Sequence, residues 1–498
     1  MYRLKTLIIF LVIAGLSACD ILEQQPQQSL PVEGGLNSVE EIQNALTGAY
    51  DRMQQWPGGD NSAQMLFGAD IIAEDAFWTG SFPTYVEISE QAMTPQNGSI
   101  ENHWDGAYEA INAANIIIEA IDQLESSSAS QAVLDDIRGQ ALFIRALQHY
   151  YLVQTFAQPW RAGESNPGVP LQLQAVTGSD DFQMPSRASV GEVYSQIQSD
   201  LQTAEGLISN TVPNRATAGA ATALRARIAL IQQRWGDAAT LSGQVIDDYT
   251  LLPSVTTYFR DELSSESIYE IENTVQDNPG ASNTTMTAVY NEDSRDDIQV
   301  SSDFVAALDQ IITDDQQAAL DAAGLSATDT RRSELLTGTT TPEEVGQATA
   351  ADNSTKYESI PNEEDNLPIL RLSEMILTRA EALTENAATL AAVPQQAFDD
   401  LNQIRTRAIE VTDSNGDAAS EALIEYNRAD FTDKQELLDA ILLERRVELA
   451  FEGHRLTDLQ RRARDVRGTS WDSGILTFPI PQSQIDANDN IQQNPAYQ

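Results

Sequence analysis

Seventy-five carboxylates, three histidines and one cysteine are what this sequence of 498 residues offers to chemistry. His103, His149 and His454 stand far apart. No H-E-x-x-H or other paired-histidine spacing occurs, so zinc chemistry has no motif to rest on. No G-x-S-x-G elbow and no phosphate-cradling glycine loop is present. A glycosidase needs only two placed carboxylates, and among so many Asp and Glu no pair stands out. The densest charged stretch is ERRVELAFEGHRLTDLQR, 444–461. Arg445–Glu448, Glu452–Arg455, Arg455–Asp458 and Asp458–Arg461 are each three apart, the spacing of ion pairs on one helix face. This reads as a lattice holding a helix and its Gly453 break, not as an active site. The stretch DIIAEDAFWTGSFPTY, 70–85, is different: aromatic residues crowd a polar loop punctuated by Gly and Pro. Aromatic faces pack against the C–H faces of sugar rings while nearby polar groups bond the hydroxyls. Trp78, Asp75, Phe82 and Tyr85 are therefore candidate ligand contacts, with Tyr290 as a further platform. A buried hydrophobic wedge is the competing reading of the same loop.

The lone cysteine, Cys19, closes an apolar run, Leu7–Leu16, that follows Arg3 and Lys5. The run is too short to span a bilayer and has the length of a secretory signal core. Leu16-Ser17-Ala18-Cys19 has the form of a bacterial lipobox, whose cysteine is acylated and becomes the new N-terminus. No second cysteine exists to pair with it. The expected product is anchored to a membrane by lipid and does not span it. The formal charge is −46. Loss of Arg3 and Lys5 with residues 1–18 takes it to −48. Nucleic acid and anionic membrane surfaces are poor partners for such a field. Abundant acid with only three lysines suggests a protein kept soluble in high salt.

These residues need helices to position them. Val39, Ile42, Leu46, Ala49 and Met53 follow an S-x-x-E capping box at Ser38. Trp104, Tyr108, Ile111, Asn115 and Ile118 share a second face. Residues 138–157 make a third helix, Ser189 and Glu192 cap a fourth, and 216–248 reads as a tetratricopeptide-type helix pair. Similar pairs are expected at 368–386 with 395–410 and at 434–462. Residues 250–366 break the pattern with Asp, Ser, Thr, Asn and Gly. The tail, 472–498, holds too much Pro and Asn for a helix. The fold class is mainly α, a tetratricopeptide-like scaffold with a loop-rich, partly β insertion. Its regions are a leader (1–18), a lipidated tether (19–35), an N-terminal helical region (36–249), the insertion (250–366) and a C-terminal helical region with tail (367–498).

In order along the chain, Cys19, ALTGAY (45–50), Trp104 with Tyr108, Ile111 and Asn115, QALFIRA (140–146), LSEM (372–375), RAEA (379–382), LNQIR (401–405), the 444–461 stretch, FPIP (478–481) and Asn494-Pro495 resemble the SusD/RagB family of outer-membrane nutrient-binding lipoproteins. The resemblance implies a non-catalytic capture protein, and the sequence shows no cofactor-binding or metal-ligating motif. It would sit on the outer membrane, facing the cell exterior, beside a SusC-type TonB-dependent transporter. There it would capture oligosaccharides or, as a RagB-like member, peptides for import. A surface glycoside hydrolase is the remaining alternative. The resemblance also implies ligand contacts from the loop that carries Trp78. A Cys19→Ser protein should take up no labelled fatty acid and accumulate as precursor or as a soluble form; acylation that survives the substitution refutes the lipobox.

Overall fold

Apolar residues every three to four positions build the first helix, α1 (Val39–Gln54), which buries Ile42, Leu46, Ala49 and Met53. Ser38 Oγ accepts a hydrogen bond from the Glu41 amide at 3.2 Å, while the Glu41 carboxylate accepts one from the Asn37 amide. This computed structural model describes residues 36–54, 63–124, 131–178, 181, 183–279, 284–336 and 353–498. The expectations for the leader, Cys19 and the tether lie outside them.

Helix α2 (Ala63–Ile72) is apolar and buried almost throughout. Asn97 caps α3 (Gly98–Gln123) by accepting from the Ser99 and Ile100 amides. Next come α4 (Gln131–Phe156) and α5 (Val190–Leu207), the latter started by the expected Ser189–Glu192 capping box. The predicted helix pair is α6 (Ala218–Ile231) and α7 (Trp235–Ile246). The C-terminal region supplies α8 (Leu372–Asn386), α9 (Gln395–Ala408), α10 (Lys434–Glu448) and α11 (Arg455–Arg461). From α3 to α7 each helix packs on the next, and α8 packs against α6, α7, α9 and α10. The result is the mainly α scaffold of stacked helix pairs that the sequence predicts.

Six short strands cross-link it: β1 (Ala76–Trp78), β2 (Ser267–Ile271), β3 (Ile298–Val300), β4 (Leu325–Asp329), β5 (Leu367–Arg371) and β6 (Ile409–Asp413). β1 pairs with β3, β2 with β5 and β4 with β6, all antiparallel. Each pair joins a strand from 250–366 to a segment outside it, so the insertion is stitched into the scaffold. Among the described residues it also carries five short helices, including Met286–Tyr290, Ser302–Leu308 and Asp314–Ala323. The tail is mostly loop, as expected, but Gln482–Ala487 within it is helical against expectation, because Pro481 stands just ahead of the first helical residue, where its missing N–H costs nothing.

The 444–461 stretch forms a lattice, but mostly not with itself. Of the predicted pairs, Asp458–Arg461 is present at 2.7 Å. Arg445 turns instead to Asp458 (2.9 Å). Glu448 meets Arg371 (2.7 Å) and Arg407, and Glu452 meets Arg371 and Lys356 (both 2.7 Å). Arg331 bridges Asp329 and Glu444, Arg405 also reaches Glu444, and Arg407 binds Glu266. Five cations thus face five carboxylates in one buried network. Burial would push the Glu448 carboxyl up, but Arg407, Arg371 and Arg331 outweigh it and hold it well below the usual carboxylate range. Arg371→Ala would take one counterion from each of the buried Glu266, Glu448 and Glu452 and leave them to Arg407, Arg331 and Lys356. Breaking a buried pair by removing one partner costs about 3–5 kcal/mol, which urea unfolding at pH 7 should show; a loss below about 1 kcal/mol would contradict this role.

Candidate functional site

β1 carries Trp78 to a corner where β3 ends. Thr79 and Gly80 amides donate to the Asp297 carbonyl. Gly80 sits so close that a Cβ would collide with the Asp297 carboxylate and lie 2.7 Å from the Trp78 ring. Trp78 packs on Phe67, Phe82 and Tyr85 with ring centroids 6.4, 6.5 and 4.7 Å away. Trp78 is 8% exposed, Tyr85 2% and Asp75 1%. Asp75 accepts from Arg446 Nε at 2.8 Å. Only Phe82 is half-buried, with the Arg295 guanidinium 4.8 Å above its ring.

Tyr290 is fully buried. Its hydroxyl donates to Asp70 Oδ2 at 3.0 Å, and the Gly453 amide donates to Asp70 Oδ1. Gly453 has φ +77°, and a Cβ there would sit 2.9 Å from the Leu66 backbone, so the α10–α11 turn needs glycine. Burial pushes Asp70 up to about 8. The structure therefore brings Trp78, Phe82 and Tyr85 together, but as the hydrophobic wedge. It also gives Asp75 and Tyr290 protein partners in place of a ligand. The physical reason is that β1–β3 pairing turns this loop inward onto α2.

A ligand-sized space of mixed apolar and polar lining lies elsewhere. A groove of about 810 Å³ runs along α3 between two walls. One wall is the 170–176 strap, PLQLQAV, which α3 holds by side-chain hydrogen bonds. The Tyr108 hydroxyl donates to the Pro170 carbonyl (2.8 Å), Asn112 Nδ2 to Val176 (2.9 Å), and Asn115 Nδ2 to Gln172 and Gln174 (both 3.1 Å). Asn115 is itself fixed by Arg145, which donates to its Oδ1 at 2.9 Å and pairs with Asp200 at 2.7 Å. The other wall is the tail: Gln484 Nε2 donates to Asp105 Oδ1, and Asn488 Nδ2 to the Pro185 carbonyl. Ala113, Ile116, Leu171 and Ile491 give apolar surface, and Trp104 and Tyr108 give aromatic edges. Gln172, Gln174, Gln183, Gln484 and Asn488 line it with amides, and Asp105, Glu109 and Asp181 with carboxylates. Burial beside Glu101 and Glu109 pushes Asp105 up to about 6. The mixture suits a ligand with apolar faces and many hydroxyls. No group of three or more His, Cys, Asp or Glu able to hold a metal occurs among the described residues.

Residues 20–230 match a family model described as starch-binding associating with outer membrane, and residues 345–475 match the SusD family model. The chain belongs to the SusD/RagB family. SusD-like protein P2 of Formosa agariphila is 24% identical, covering 100% of this chain and 99% of its own length. A crystal structure of a SusD superfamily protein from Bacteroides thetaiotaomicron superposes with TM-score 0.74 at 25% identity, covering 92% of this chain and 100% of the other. A putative sugar binding protein from Bacteroides vulgatus gives TM-score 0.72 at 25% identity, over 93% and 99%. In this SusD-family chain, Trp78 belongs to the same core as Trp104, which is 3% exposed. Trp78→Ala should cost about 3–5 kcal/mol of stability, as aromatic truncation in a core does, and so resemble Trp104→Ala in thermal melts. A Trp78→Ala protein that melts normally would return this ring to the surface.

Proposed function

We propose that this protein is a lipid-anchored, outer-membrane nutrient-binding protein. It captures oligosaccharides at the cell exterior and hands them to a SusC-type TonB-dependent transporter. It acts by binding, not by turnover. Membership of the SusD/RagB family supports the class, and the similar Bacteroides vulgatus protein, a putative sugar binding protein, points to sugars. No helix among the described residues is long and apolar enough to cross a membrane, which is compatible with anchoring through Cys19.

The observation that carries the reading is the α3 groove. Its volume lies within the roughly 300–1,000 Å³ of small-molecule sites. Its apolar and aromatic surface matches the C–H faces of pyranose rings. Its amides still have hydrogen-bonding capacity for hydroxyls, because an Asn or Gln offers two donors and two acceptor lone pairs. Gln484, for instance, donates to Asp105 and keeps its carbonyl oxygen for a ligand.

Ala487 lines the groove and is exposed, so a bulky side chain there would obstruct the space without entering the core. Ala487→Trp should weaken oligosaccharide binding by at least about tenfold, or 1.4 kcal/mol, with the melting temperature held. Titration calorimetry against the tightest ligand of a glycan panel would measure it. Undiminished affinity would move the binding site away from α3, and release of shortened products from that ligand would make the protein an enzyme.

A further inference from the structure

Eight of the protein's cations lie inside. Arg145, Arg227, Arg331, Lys356, Arg371, Arg405, Arg445 and Arg461 are all buried and all paired with carboxylates. A chain with 29 Lys and Arg against 75 Asp and Glu has little left for its surface. The two largest spaces among those outlined show the consequence. Among the described residues that line the α3 groove, Asp105, Glu109 and Asp181 face a single cation, Arg52, which is already bound to Glu109 at 2.8 Å. The second space, about 1090 Å³ beside Ser302–Leu308, Asp314–Ala323 and α10, is lined by eight carboxylates and by Arg446, Arg455 and Arg464. Those arginines are also occupied, by Asp75, Glu74 and Asp439. Neither space offers an unclaimed cation to an anionic ligand.

Resting on the saccharide reading of the α3 groove, we propose that this groove selects its ligand by charge. It takes neutral or amine-bearing oligosaccharides and refuses chains that carry uronate or sulfate groups, and Asp105, Glu109 and Asp181 make that choice. The geometry places them well. Asp105 and Glu109 are four apart on α3, so both look out on the same helix face, one turn apart. Asp181 closes the space from the strap side, where Thr177 donates to it from both its amide and its hydroxyl at 3.2 and 2.7 Å. Gln484 holds Asp105 against the tail. A sugar lying between these walls meets carboxylates on both flanks. A sulfate or uronate there would lose water without gaining a counterion. A protonated amine would find one, and neutral hydroxyls would bond to the amides and the carboxylates alike.

A glycan array with neutral, amine-bearing, uronate and sulfated oligosaccharides of matched length, probed with the mature full chain, tests this. Neutral and amine-bearing oligomers should bind, with anionic ones at least tenfold weaker at 20 mM salt and pH 7.5. The gap should shrink at 0.5 M salt, because the groove is open to solvent and screening acts there. It should also narrow at pH 5, where Asp105 takes up a proton. The double variant Asp105→Asn/Glu109→Gln leaves Arg52 without its carboxylate, and should raise the ratio of uronate-oligomer to neutral-oligomer affinity at least tenfold. A melting curve establishes that the variant is folded. If it is not, Asp181→Asn serves in its place, with the same direction expected. Anionic oligomers bound as tightly as neutral ones, or a ratio unmoved in the folded variant, overturns the charge selection and leaves saccharide binding intact. An array with no binding at all overturns the saccharide reading itself.

Discussion

The buried network around Arg371 is the constraint on which the rest of the structure depends. Its guanidinium reaches Glu266, Glu448 and Glu452, and through them it is coupled to Arg407, Arg331 and Lys356. These residues come from the edge of β2, the end of β5, α9, α10 and the insertion. Desolvating ten charges is costly, and an apolar core of equal volume would often be as stable. What the network supplies is register. A guanidinium with fixed fork geometry accepts carboxylates in few positions, so the insertion and the C-terminal helices can meet in few ways.

The same economy shapes the outside. With eight cations committed to the core, the acid on the surface outnumbers the base that is left, and both large concavities described above are lined with more carboxylate than base. Interior and exterior are one charge balance. Each arginine committed to the core leaves its share of surface acid uncompensated, where water and salt screen it.

The groove itself is a product of polar fastening. Arg145 and Asp200 hold Asn115, Asn115 holds the strap, and Tyr108 and Asn112 hold the strap at its two ends. These bonds satisfy strap carbonyls that would otherwise face the helix unpaired. The strap stands off α3 far enough to leave space, and the tail closes the far side. A buried ion pair thus sets the width of a surface site more than one side chain away.

Much of the scaffold was legible in the sequence. The α1 and α3 stripes, the Ser189 capping box, the α6–α7 pair and the C-terminal helices follow from three- and four-residue spacing, which is a local property. So is the lipobox pattern at Cys19. The site was not legible. Trp78 looks like a ligand platform because its neighbours are polar and rich in turns, yet β3, more than 200 residues away, folds the loop onto the core. Arg445 and Glu448 look like partners at helical spacing, but Asp458 and Arg371 satisfy them instead, because a buried charge takes whichever counterion shares its desolvated space. Asn115 appears in the sequence only as one member of a stripe; its role in holding the strap depends on Pro170–Val176 crossing α3. The groove needs Gln484 and Ile491 from the tail beside Asp105 and Ile116. Periodicity decides which face of a helix is apolar. Only the tertiary structure decides what lies across from it, because that depends on contacts between residues hundreds of positions apart.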